Sequence, residues 1–475
     1  MYQTKLKIGL FGIGLEAYWK QFEGLKERLL VQLATIHQKL HAIHPHIVNE
    51  GLVDTVDGAF QAGMRFRSEN VDIIFLYVST YALSSTVIPV VQRARVPVVI
   101  LNLSPADAID YRVFNQLPSR TRMTGEWLAY CSACPVPELA NVFSRLGVQF
   151  HQVSGVIDGD EECWMEIREW VEAARVVHTM SFNRMGCMGH YYSGMLDIYT
   201  DLTLQAKFLG GHFEMIETDE LSALRKEVGL QDCAERARYF GEIFDISPEC
   251  TSEELSETAR TSLALDRLVE RYQLGSMAYY YKGTGNADNE ITMSTVILGN
   301  SLLTGRGIPV AGEYEIKNCQ AMKILDSFGA GGSFTEFYAM DYREDLVLMG
   351  HDGPGHMAIA EGRIRVKPLE EYHGKVGRGL SVEMSVKHGP VTLLSVVEKA
   401  GRLMLLVAEA ASQPGAILEI GNTNSRYRFP IGARAFVNQW NSHGPAHHCA
   451  VGIGHIANKI EKLGKLLDLE VIRVC

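Results

Sequence analysis

From Lys5 to about His178 the chain alternates short apolar runs with amphipathic stretches. These are KIGLFGIG, a helical stretch from Tyr18 to His41, VDIIFLYV at 71–78, a helical TVIPVVQRA, and PVVILNL at 97–103. Strands that are apolar along their whole length and separated by helices belong to a parallel sheet buried on both faces. Near Val177 the pattern starts again with different content. VVHTMSFNRMG reads as a strand leaving into a loop, GHYYSGMLDIYTD as a loop and helix start, and FEMIETDELSALRKEV as a strand followed by a helix. Ser247 to Leu274 predicts a long amphipathic helix with Ser252 as N-cap and acids in its first turn. SMAYYYKG supplies another strand, and Ile316 to Phe328 another helix.

Beyond Phe328 the β-type stretches dominate: EDLVLMGH, HMAIAEG, GLSVEMSVKHGPVTLLSVVEKAGRLMLLVAEA and ILEIGNTNSRYRF. Alternating strands broken by Gly, Pro and Asn predict an antiparallel sheet or small barrel, and a helix from about Gly452 to Leu467 closes the chain. The expected fold is therefore α/β. Two tandem Rossmann-like domains with parallel sheets, 1–176 and 177–328, precede a mostly antiparallel, β-barrel-like domain at 329–475. The length of 475 residues and the 47% hydrophobic content suit this division, because single cores stop growing near ~250–300 residues.

Charge narrows the function classes. A formal net charge of −11 argues against a phosphate-backbone partner, so nucleic acid is not expected. No apolar run approaches ~20 residues, and the N-terminal apolar stretch has no small-residue cleavage site behind it. A cytoplasmic protein with no membrane partner is expected. Nine scattered cysteines fit reduced thiols better than a disulfide framework, and the pair Cys131 and Cys134 in CSAC lacks the second CxxC of a zinc site. GLFGIG follows a strand, but Gly9, Gly12 and Gly14 have the wrong spacing for a dinucleotide fingerprint.

The candidate chemistry lies in the last third. Glu313 stands in AGEYEIK at a loop-to-helix junction, Glu336 in GGSFTEFY, His351 in LVLMGHDG, and His447 and His448 in GPAHHCAV. Each has an ordinary structural reading: a carboxylate at a helix start, an exposed loop acid, a histidine packed at a strand end. Together, two carboxylates and imidazoles from separate segments are what a divalent-metal site with open positions and acid/base duties requires. Gly329, Gly331 and Gly332, just before Glu336, let the backbone bend toward a ligand.

The AGE segment with its following lysine, the glycine-flanked SF-x-E-x-Y, the D-LVL-x-x-H strand and the A-H-H loop stand in the order and approximate spacing of L-arabinose isomerase. The chain thus resembles the L-fucose/L-arabinose isomerase superfamily, best from about Ile308 to Val451 and only architecturally before that. The resemblance implies a metal-dependent aldose–ketose isomerase acting on a pentose, hexose or deoxy sugar through a cis-enediol. It implies that Glu313, Glu336, His351 and His448 hold Mn²⁺, or Co²⁺ or Mg²⁺, and that the two glutamates shuttle the proton. It further implies a homotrimer or homohexamer with active sites at subunit interfaces. There the loop GLEAYW of a neighbouring subunit offers Glu16, Tyr18 and Trp19 to the sugar, while Lys317, Tyr338 and His447 are further substrate-binding candidates.

The chain departs from that family in its first domain. Cys134 stands where the arabinose enzymes carry a histidine, which puts L-arabinose itself in doubt. His190, in a polar segment with Asn183, Arg184, Gly186, Tyr191, Tyr192 and Asp197, is the candidate replacement. Two other readings are a non-catalytic sugar-binding or regulatory protein, which needs no metal, and a sugar epimerase on the same scaffold.

Overall fold

A computed structural model describes residues 5–283, 285–369, 371–372, 375–376 and 379–475. The chain divides into two compact units, one ending at His178 and the other covering Thr179–Cys475. The first unit holds five parallel strands, β1 (Ile8–Ile13), β2 (Ile47–Val53), β3 (Ile73–Tyr77), β4 (Val98–Ser104) and β5 (Phe150–Val156), in the order β2-β1-β3-β4-β5. β1, β3 and nearly all of β4 are buried residue by residue, as the unbroken apolar runs require. Helices Leu25–Ile43, Val56–Glu69, Ile88–Ala94 and Val136–Leu146 connect them. Phe66, Ile74, Leu76, Val90, Leu139 and Phe143 belong to the core between helices and sheet.

The second unit contains two sheet systems. The parallel one comprises β6 (Arg184–Gly189), β7 (His212–Ile216), β9 (Ser276–Tyr280) and β10 (Val310–Ala311), in the order β10-β9-β6-β7. The short β8 (Asp245–Ile246) instead joins β13 (Arg365–Pro368) and β16 (Leu380–Glu383). A two-stranded ribbon, β14 (Glu371–Tyr372) and β15 (Lys375–Val376), lies between those in sequence. The antiparallel system is a closed six-stranded barrel. β11 (Ser333–Asp341), β12 (Leu346–His351), β17 (Gly389–Lys399), β18 (Arg402–Gln413), β19 (Thr423–Arg428) and β20 (His448–Ile453) run in the order β17-β20-β11-β12-β19-β18, and β18 pairs back to β17. A last strand, β21 (Glu470–Arg473), adds to β18 in parallel.

Closure depends on the β17–β18 hairpin, whose register runs unbroken from Gly389↔Ser412 to Lys399↔Arg402. Ala400 and Gly401 both take positive φ, 51° and 73°, the two-residue turn whose twist matches that of paired strands. Val347, Met349, Val391, Leu393, Leu406 and Trp440 belong to the core of the barrel.

The α/β class and the antiparallel barrel agree with the sequence pattern, while several local expectations do not. Val176 to Met180 continue a helix, Glu161–Ser181, instead of forming a strand. Their β-branched content misleads, because Cys163, Ile167, Trp170, Val171 and Ala174 are buried at helical spacing and carry the turn onward. The cap of helix Ser252–Tyr272 is Thr251, one residue before the predicted Ser252. The Thr251 side chain accepts from Glu254 N while the Glu254 carboxylate accepts from Thr251 N, a reciprocal box that Ser252 is placed too late to make. Tyr18 ends a short 3-10 turn, and the first helix starts at Leu25. HMAIAEG forms a 3-10 turn at Met357–Ile359, and the closing helix is Ala457–Leu467, preceded by β20.

Gly350 is the tightest point near the functional residues. It lies opposite Glu336 across β11–β12 and opposite Asn424 across β12–β19, and a Cβ there would run into the Thr423 carbonyl oxygen. Replacing Gly350 by Ala is expected to cost about 1–3 kcal/mol by overpacking, read as a lower urea midpoint with unchanged m-value. An unchanged midpoint would contradict this packing.

Candidate metal centre

The site is built wholly within the second unit, from two directions. The parallel sheet delivers loops from the carboxyl ends of its strands, the usual position of ligand-binding loops in such sheets. β6 leads into His190, and β10 leads through Gly312 into Glu313. The barrel delivers Glu336 from within β11, His351 from the last position of β12 and His448 from the first position of β20. Cys449 and Val451 belong to the barrel core, so the alternation of a strand turns His448 outward. Glu336 is its direct partner across the β11–β20 ladder, so the two side chains share that outer face. Phe334, two residues before Glu336, places its ring 4.4 Å from the His351 ring and 4.3 Å from the His448 ring. That packing fixes both imidazole planes.

The loop carrying Glu313 is strained. Glu313 and Tyr314 take φ of 56° and 62° in succession, a left-handed pair without glycine that costs on the order of 1–3 kcal/mol per residue. Hydrogen bonds hold the conformation: Tyr192 N donates to Glu313 O at 3.3 Å, Tyr314 N to Tyr279 O at 2.9 Å, and Glu315 N to Gly312 O at 3.0 Å. The buried Tyr314 ring packs on Tyr191 with centroids 4.8 Å apart. On the barrel side, Gly331 has φ 74°, and Gly332 lies so close to the Met322 backbone that no side chain fits.

These supports bring the candidate ligands together. Glu313, His447 and His448 form one group, and Glu336, His351 and His448 a second, each with donor atoms within 4.8 Å of one another. The Nε2 atoms of His351 and His448 are 3.2 Å apart. The Glu313 Oε2 atom lies 3.5 Å from His448 Nε2 and 3.7 Å from His447 Nε2, and Glu313 Oε1 lies 3.9 Å from His351 Nε2. Two ligands at right angles on an octahedral ion with bonds of about 2.1 Å are about 3 Å apart. Glu313 Oε2 is buried with no hydrogen-bond partner among the described residues, and its cationic neighbour His447 stands 3.7 Å away, beyond hydrogen-bond reach, which leaves this oxygen free to meet a metal ion. The donor set thus fits a divalent ion held by imidazole and carboxylate.

Protonation follows burial and charge. His351 and His448 are both lowered to about 3, chiefly by burial and then by neighbouring imidazoles, so both are neutral and carry lone pairs at pH 7. The two glutamates move apart. Burial pushes Glu313 up, but its three histidine neighbours outweigh burial and hold it below the ordinary carboxylate value. Glu336 is raised, first by burial and then by the charge of Glu313, against the pull of His447.

Two residues without an assigned role in the sequence orient the histidines. Glu315 Oε2 lies 2.5 Å from His448 Nδ1, both groups fully buried, and so aims His448 Nε2 into the site. Burial pushes the Glu315 carboxyl up even though Lys317 and His447 pull it down. Asp197 does the same for His447, with Oδ2 at 2.6 Å from Nδ1 and accepting from the His447 backbone N–H at 2.9 Å. Glu315 is two residues from Glu313 and could have been noticed by adjacency. Asp197 is 250 positions from its partner, and no sequence spacing connects them.

The other candidates have different surroundings. His447 belongs to the first of the two donor groups as well as facing outward. Lys317 is buried, its Nζ donating to the Asp197 carbonyl, which makes it a brace for the Asp197 turn. The Tyr338 hydroxyl accepts from Asn422 Nδ2 at 2.9 Å. His190 is exposed, donates from Nδ1 to the Tyr191 carbonyl at 2.8 Å, stands edge-on to Tyr280, and joins neither donor group. Glu16, Tyr18 and Trp19 belong to the first unit. There Trp19 Nε1 donates to Asp54 at 2.7 Å, Tyr18 packs edge-on to Phe22, and Glu16 is exposed.

His447 supplies a pH signature. Glu313 first, and then Asp197, raise it to about 9 against desolvation, so it is cationic at pH 7. A histidine raised in the folded state contributes stability that is complete below its unfolded value near 6.5 and lost as pH rises through about 9. NMR titration of the metal-free protein should show one imidazole near 9, moved toward the ordinary value by Asp197→Asn. A His447 titrating near 6.5 would contradict the pairing. The chain matches no known family model, and no curated protein sequence is significantly similar to it.

Proposed function

We propose that this chain is a metal-dependent sugar isomerase of the L-arabinose isomerase-like kind, interconverting an aldose and a ketose. The observation that carries this reading is the convergence of Glu313, Glu336, His351 and His448 from four separate segments into overlapping groups of donors. The four residues stand out in the sequence by their ligand chemistry and by the resemblance, and nothing in their spacing requires them to meet.

The four residues would hold Mn²⁺, or Co²⁺ or Mg²⁺, which when bound polarises the carbonyl and hydroxyl oxygens of a sugar. The chain supplies the proton handling. Glu313, lowered, is a carboxylate at neutral pH and suits a base at the carbon next to the carbonyl. Glu336, the other carboxylate of the pair, would manage the hydroxyl proton. His447, cationic beside Glu313, can donate to a sugar oxygen. The buried Glu315 and the exposed Asp197 keep the imidazoles in one orientation through the cycle. Tyr338, His190 and, from a neighbouring subunit of a homotrimer or homohexamer, Glu16, Tyr18 and Trp19 are the proposed sugar contacts.

Pentoses and hexoses incubated with the Mn²⁺-loaded protein should yield ketose, with loss of product after EDTA and recovery on adding Mn²⁺ back. Glu313→Gln and Glu336→Gln should each lower turnover by about 10²–10⁴-fold while circular dichroism stays unchanged. Retained turnover in both variants, or in EDTA, would sink the assignment. Epimerised aldose in place of ketose would move the reaction to an epimerase.

A further inference from the structure

We propose that the first unit carries a separate binding site for a phosphate-bearing anion, in the cavity at the amino ends of β4 and β5. The cavity encloses about 770 Å³, enough for a phosphorylated metabolite. Arg67, Arg93 and Arg95 all line it, and no acidic side chain does so among the described residues. In a chain of net charge −11, three arginines lining one concavity, with no acidic residue beside them in the lining among the described residues, depart from the average surface.

Helix ends account for part of this positive charge. Arg67 and Arg93 stand in the last turns of helices Val56–Glu69 and Ile88–Ala94, where cations complement the helix dipole. The helix Val136–Leu146 also ends here, since Leu146 and its left-handed cap Gly147 line the cavity. Three such ends supply about one and a half negative charges between them, fewer than the three arginines carry. Moreover the end of each helix is already capped: Arg95 N donates to Val91 O, Asn70 N to Arg67 O, and Gly147 N to Ser144 O. The cavity therefore keeps a positive excess.

The arginines are also arranged for a ligand. The Arg93 guanidinium lies 4.0 Å over the Phe60 ring and donates to the Pro89 carbonyl at 3.4 Å, so its position is fixed before any anion arrives. Arg67 and Arg95 are exposed and form no ion pair among the described residues, leaving their planar forks available. Arg95 projects from a left-handed backbone position, φ 55°, just beyond its helix. Planar forks suit the paired oxygens of a phosphate, and the apolar Val91, Pro97 and Leu146 can cover the carbon skeleton of an organic phosphate. This site is independent of the proposed metal centre, whose residues all belong to the second unit.

Calorimetric titration of the full-length, EDTA-treated protein at constant ionic strength tests the assignment. The probes are inorganic phosphate, pyrophosphate and ribose 5-phosphate. Saturable binding of at least one is expected, weakened about tenfold or more in the double variant Arg67→Gln/Arg95→Gln. Leu146→Glu, which keeps all three arginines and places a carboxylate at the rim, should weaken it comparably. All three positions are solvent-facing, and an unchanged thermal midpoint verifies folding. Tighter binding of ribose 5-phosphate than of phosphate would identify an organic phosphate as the ligand, and equal binding would identify free phosphate. Absence of binding by the unaltered protein, or equal affinity in the folded double variant, would overturn the proposal.

Discussion

The contact on which the candidate centre depends is the 2.5 Å hydrogen bond between Glu315 and His448. Glu315 stands at the start of helix Ile316–Ser327, after the last strand of the parallel sheet, and His448 opens a strand of the barrel. Neither partner has water to fall back on, since both are about 1% exposed. Removing either would leave the other a buried polar group without its partner, which costs more than the bond itself contributes. The bond therefore does two things at once: it ties the barrel to the helix that follows Glu313, and it turns His448 Nε2 toward the other donors.

The same region holds unfavourable energy that its surroundings must offset. Glu313 and Tyr314 occupy left-handed backbone, Glu313 Oε2 lacks a hydrogen-bond partner among the described residues, and two imidazoles with available lone pairs meet at 3.2 Å. A structure that optimised only its stability would keep none of these. They persist because Tyr314 is anchored in an aromatic cluster with Tyr191, because Phe334 wedges both imidazoles, and because the barrel strands are closed on themselves. Concentrated strain and unsatisfied donors in one small volume are the usual mark of a ligand site.

What the sequence made legible and what it hid follow from the range of the forces involved. Continuous apolar runs such as IGLFGI and IIFLY announce a doubly covered parallel sheet because burial on both faces acts residue by residue. Glu313, Glu336, His351 and His448 were recognisable through their short surrounding motifs. The sequence does not separate Thr251 from Ser252 as the cap, because two adjacent hydroxyl residues precede the same acids and only the reach of Glu254 back to its cap decides between them. The run Val176 to Met180 has strand-like composition, yet its helix is decided by upstream turns already packed on the core. Asp197 and the arginine-lined cavity were invisible for a different reason. Their meaning comes from neighbours brought close only by the fold, across 250 positions in one case and from three helix ends in the other.

The closed barrel has a consequence for how the centre comes into being. His351 and His448 are separated along the barrel wall by β11, which carries Glu336, and β11 pairs on one side with β12 and on the other with β20. The three residues take their spacing from interstrand hydrogen bonding, so their relative positions are set when the sheet zips and not by any local turn. Glu313 arrives from outside that circle of strands. An intermediate with the barrel formed but the parallel sheet unfinished would already hold three of the four donors, and the fourth would report that the two sheet systems have met.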